Sequence, residues 1–144
     1  MRTPAKIVLA LLLAAAPAES LGSGPEARPL VFEAIPAQGT KVRLDAERHF
    51  VFSFNEKPTM GTAIAKVQIF GAGGRTDQSF EIRGNADMPT MGCQRGKPER
   101  TFVLNKKGDY LLPFTFGMPG EWEVYLTFLK DGAVVYRGKY AFEI

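Results

Sequence analysis

The four methionines after the start residue, one cysteine and one histidine are the side chains of this chain best suited to bind something soft. Met60 falls in Pro58-Thr59-Met60-Gly61, and Met88 and Met91 fall in Met88-Pro89-Thr90-Met91-Gly92-Cys93. Met118 falls in Gly117-Met118-Pro119-Gly120. Methionine ordinarily fills irregular gaps in a core, but here each one sits among Pro and Gly, where chains turn. Thioethers at loop tips, with the Cys93 thiol close by, are donors of the kind that select Cu(I), and the imidazole of His49 also suits copper. Pro89 fixes φ between Met88 and Met91, which lowers the entropy lost when both sulfurs turn to one ion. The expected ligand set is Met88, Met91, Met118, Cys93, His49 and Met60. Two blander readings stand beside it: such methionines plug the mouth of a core, or they offer an adaptable surface to a protein partner.

Other chemistries find less support. Cys93 and His49 would make a hydrolase only with a third, orienting group, and nothing around either resembles a nucleophile elbow or a cysteine-protease signature. A zinc site of the usual ligand count needs more His and Cys than the chain has. Gly71-Ala72-Gly73-Gly74 follows a strand pattern and leads to no helix, so it reads as a connection and not a phosphate loop. The chain is not expected to be an enzyme.

The N-terminus reads as a secretory leader. Arg2 and Lys6 precede the apolar run Ile7–Ala16, and Ala16-Pro17-Ala18 suits cleavage. That run is shorter than the about 20 residues needed to span a bilayer. Residues 1–18 are therefore expected to be a signal peptide, leaving an exported, soluble, periplasmic protein without stable membrane insertion. The full chain has 18 basic and 15 acidic residues. Losing Arg2 and Lys6 leaves 16 against 15, a net +1. A nearly neutral domain has no electrostatic case for nucleic acid. One cysteine makes no intramolecular disulfide, so packing must hold the fold.

The elements that must position these residues are strands. Residues 19–39 read as an N-terminal tail or linker, and 40–144 as one domain. Its dominant period is two, broken by turn residues. Candidate strands are Lys41–Leu44, His49–Phe54, Thr62–Phe70, Ser79–Arg83, Arg100–Leu104, Tyr110–Phe116, Glu121–Leu129 and Ala133–Phe142. Trp122, Val124, Leu126 and Phe128 share one face, which makes Trp122 a core anchor. Lys130-Asp131-Gly132 signals a tight hairpin. The fold class expected is all-β: an immunoglobulin-like antiparallel β-sandwich of about seven to eight strands. Tyr110, opening an alternating strand after Lys-Lys-Gly-Asp, is similar to a tyrosine corner, in which the phenol bonds to backbone a few residues upstream. Asn85–Pro98 is the long irregular segment and the first place to look for a working surface. Arg95 and Lys97 within it, and Arg100 just after it, read as solvated charge.

Several of these motifs recur in a known order. His49-Phe-Val-Phe, Met88-Pro-Thr-Met-Gly, Gly108-Asp-Tyr110 and Phe116-Gly-Met118-Pro-Gly-Glu-Trp122-Glu-Val124 together resemble the YtkA-like domain, over about Val42 to Phe128. The resemblance implies an exported immunoglobulin-like domain associated with copper efflux and cytochrome-oxidase assembly, as in FixH-like proteins. It carries over to Met88, Met91, Met118 and Trp122; Met60 and Cys93 lie outside the motif. It also implies copper as the bound group and a periplasmic or membrane protein partner in copper handling or oxidase assembly. The chain departs from the pattern in having a single His and no expected anchor.

Overall fold

The computed structural model describes residues 31–91 and 98–144, and there the period-two pattern becomes ten strands. They are β1 (Glu33–Ala34), β2 (Lys41–Arg43), β3 (His49–Phe54), β4 (Gly61–Phe70) and β5 (Glu81–Asp87). Then follow β6 (Arg100–Thr101), β7 (Val103–Leu104), β8 (Tyr110–Phe116), β9 (Glu121–Lys130) and β10 (Ala133–Glu143). The expected leader, Cys93, Arg95 and Lys97 lie outside the described residues. Among the described residues, no helix is long and apolar enough to cross a membrane.

Two five-stranded sheets form, in the orders β1-β10-β9-β5-β6 and β2-β3-β4-β8-β7. Every pairing is antiparallel except β1 with β10. With β1 and β2 set aside, β3-β4-β8-β7 faces β10-β9-β5-β6, the strand order of an immunoglobulin-like sandwich. Alternation fills the space between the sheets. Phe50, Phe52 and Phe54 of β3 are buried, as are Trp122, Val124, Leu126 and Phe128 of β9. Phe50 meets Phe128 at 4.6 Å between ring centroids, and Phe116 meets Trp122 at 5.1 Å. Each such side chain contributes roughly 1.5–3 kcal/mol by burial, so these two sheets need no covalent tie.

The β9–β10 hairpin forms as its sequence requires. Asp131 and Gly132 take φ of 51° and 79°, and Lys130 pairs with Ala133 across a two-residue loop.

Four expectations change, the first being that Asn85–Asp87, expected to open the irregular segment, completes β5. Glu33–Ala34 pairs with Gly138 and Lys139 of β10, and Ile35 is buried, so the domain begins inside the stretch read as a tail. Arg100–Leu104 is two strands: β6 pairs with β5 in one sheet and β7 with β8 in the other. Phe102 between them is buried, and its N–H bonds to the Ile82 carbonyl at 2.8 Å. Tyr110, finally, makes no local corner. Its hydroxyl donates at 2.8 Å to the carbonyl of Phe80, 30 residues upstream, and so ties β8 to the segment entering β5 of the facing sheet.

Candidate functional site

Strand register brings methionines from three turns to one end of the sandwich. Gly61, the first residue of β4, pairs with Phe116, the last of β8. Met60 and Met118 therefore both lie just beyond that end of the second sheet. In the first sheet, Asp87 closes β5 opposite Glu123 near the start of β9, so Met88 leaves at the same end. The two sheets are joined there by the turn that carries Met118 between β8 and β9.

Local bonding fixes these turns. The Met91 N–H bonds to the Met88 carbonyl at 3.1 Å, closing a β-turn with Pro89 in its favoured first central position. Such a turn holds the two methionine Cα atoms within roughly 7 Å. Met118 is held from beneath: Trp122 Nε1 donates to its carbonyl oxygen at 3.0 Å. Gly120 exchanges backbone bonds with Ile144 at 2.9 and 3.0 Å, extending the β9–β10 ladder to the base of the same turn. A Cβ built at Gly120 would stand 3.0 Å from the Met88 methyl carbon, so Met88 packs directly under the Met118 turn.

The four sulfurs divide into two kinds. Met88 is 5% exposed and belongs to the hydrophobic core. Met60, Met118 and Met91 are 59%, 47% and 39% exposed. Core plugging thus describes Met88, while the other three residues are exposed.

The structure does not bring His49 to this end. His49 opens β3 and pairs with Phe70, the last residue of β4, against whose ring it stacks at 5.2 Å. Met60 lies beyond the opposite terminus of β4, roughly 30 Å away at the usual strand rise. The sequence suggested a shared rim because neither strand direction nor register is visible in composition. Cys93 lies outside the described residues. Among the described residues, no group of three or more His, Cys, Asp and Glu side chains is placed to hold a metal ion.

Sequence reading gave Trp122 a core role and missed its second one. It is buried, and its indole N–H is also the clamp on Met118. Two grooves flank it, of about 260 and 340 Å³. The larger lies between Pro89, Trp122 and Phe142, with Glu121, Glu123 and Glu143 along it. Glu123 is paired with Lys139 at 3.4 Å, so Glu121 and Glu143 supply the negative charge that would draw in a cation beside the methionine end.

No family model, curated protein or solved structure matches the chain. The geometry of this end is therefore what any functional reading has to stand on.

Proposed function

We propose that the protein is an exported, periplasmic β-sandwich that binds or handles a soft metal, Cu(I), in copper trafficking or tolerance. The observation that carries the reading is that exposed methionines from separate turns share one end of the sandwich, two of them in turns fixed by hydrogen bonds. Thioether sulfur is a soft ligand that favours Cu(I), and turns already closed by hydrogen bonds cost less entropy to engage. Met60, Met91 and Met118 supply the accessible donors, and Met88 supports them from inside. Cys93, two residues after Met91, is a further donor on this reading; His49 is not. The acidic groove beside the turn favours a cation. The resemblance of the Met88–Met91 and Met118–Trp122 motifs to YtkA-like domains points the same way.

The test is a Cu(I) titration against a competing chelator. Wild-type protein should take one ion per chain. The Met60→Leu/Met91→Leu/Met118→Leu variant, whose substitutions are exposed and leave the core intact, should lose at least about tenfold in affinity, the worth of roughly 1.4 kcal/mol. Equal affinity in the two proteins ends the reading.

A second reading is a metal-free interaction module. The exposure of three methionines beside an aromatic-floored groove favours it, because exposed methionine surfaces adapt to protein partners. A partner retained from periplasmic extract equally well with and without a Cu(I) chelator would favour this class.

A further inference from the structure

An oxidant in solution reaches a thioether where solvent does, and solvent reaches the four methionines unequally. Met60, Met91 and Met118 are exposed, whereas Met88 is buried against Gly120 and the core. All four occupy the same end of one fold, so the buried member serves as an internal reference for its neighbours.

We propose that Met60, Met91 and Met118 form a modification site for peroxide-class oxidants, with Met88 protected, and that sulfoxide formation there abolishes soft-metal binding; this last clause rests on the copper reading above. With hydrogen peroxide the step balances. The sulfur lone pair attacks one peroxide oxygen, the S–O bond forms, and the O–O bond breaks. The departing hydroxide takes the proton of the new S–OH group and leaves as water. Sulfur has given up two electrons, and the peroxide has been reduced.

The chemistry of the product sets the consequence. A sulfoxide oxygen is a harder donor than a thioether sulfur and does not suit Cu(I). The fold tolerates the change at the exposed positions, since Met60, Met91 and Met118 lie outside every strand and their new oxygens point into water. Met88 is different. An oxygen there would be a polar atom in a core of aromatic rings, a change that disrupts packing. The arrangement thus separates three sulfurs that can be oxidised without unfolding from one that cannot.

The experiment exposes the purified, metal-free protein to dilute hydrogen peroxide and follows each methionine by peptide mass spectrometry. Met60, Met91 and Met118 should each be oxidised roughly tenfold faster than Met88 in native buffer, and all four at similar rates in guanidinium chloride. Emission from Trp122, the one tryptophan of the chain, should stay at its native value while the three exposed sites react. Met88 keeping pace in native buffer overturns the proposal, and so does loss of the native Trp122 emission as the exposed sites react. After peroxide is removed, oxidised Cys93→Ser protein, which has no thiol to react, should bind Cu(I) at least about tenfold more weakly than reduced Cys93→Ser protein. Unchanged affinity overturns the metal-release clause. A reduced protein that takes up no Cu(I) removes the copper reading instead, and the order of oxidation still decides the modification site.

Discussion

Trp122 Nε1 and the carbonyl oxygen of Met118 are 3.0 Å apart, across the turn that carries the chain from one sheet to the other. The bond links a buried ring at this end to the backbone of an exposed methionine. It converts core packing into a fixed position for a surface sulfur. Replacing Trp122 with Phe keeps an aromatic in the core and removes the donor. The expected loss is about 1–3 kcal/mol in urea unfolding, from the lost bond and the smaller ring. The Met118 methyl resonance of [methyl-13C]methionine-labelled protein should also narrow and shift toward random-coil values. An unperturbed Met118 methyl would show that the clamp does not set its position.

Gly120 lies under the same turn at φ 133°, a backbone conformation that disfavours side chains, with the Met88 methyl carbon 3.0 Å from its missing Cβ. Gly120→Ala should therefore destabilise the fold by about 1–3 kcal/mol. Pairing it with Met88→Ala separates the two causes in a double-mutant cycle. The steric part should be relieved and the backbone part should remain, giving a coupling of about 0.5–1 kcal/mol. Strict additivity would mean that Met88 moves aside freely.

Tyr110 joins the two sheets through the Phe80 carbonyl. Tyr110→Phe should cost about 1–3 kcal/mol, because the partner carbonyl is left unsatisfied in a largely buried place. A cost below about 0.5 kcal/mol, read by chemical denaturation, would show that water replaces the hydroxyl.

Tyr136 offers the opposite case. Its side chain is buried, and among the described residues its hydroxyl has no hydrogen-bond partner. Tyr136→Phe should stabilise the protein at neutral pH by about 0.5–1.5 kcal/mol. Burial, with a smaller effect of Glu33, raises its pKa from 10.0 to about 12. The folded state thus keeps the phenol protonated over a range in which the unfolded chain has begun to lose that proton. Stability is unaffected by this group below about pH 10 and falls as pH rises from there toward 12. Urea midpoints across that window should drop less steeply in Tyr136→Phe than in wild type. Identical slopes would assign the alkaline loss to Tyr110 and Tyr125, whose pKa values burial also raises.

Strand positions were legible because alternation is a local property. His49–Phe54 and Tyr110–Phe116 are strands over the whole of their expected ranges, and Asp131-Gly132 forms the expected turn. What was not legible depends on partners distant in sequence. Glu33–Ala34 is too short to show a period and is a strand only because β10 pairs with it. Arg100–Leu104 holds no turn residue that would divide it, and only the two different partners of its halves do so. The same limit governs the site. That Met60, Met88, Met91 and Met118 lie in turns follows from Pro and Gly beside them. That His49 lies at the far end follows from its register with Phe70, which no local pattern carries.

The most direct measurement of the central claim is a 1H–13C correlation spectrum of [methyl-13C]methionine-labelled protein during addition of Cu(I) under anaerobic conditions. The methyl signals of Met60, Met91 and Met118 should shift together and stop at one equivalent of metal, with the His49 ring signals unmoved. Methyl signals that stay in place, or shifts centred on His49, would contradict the claim.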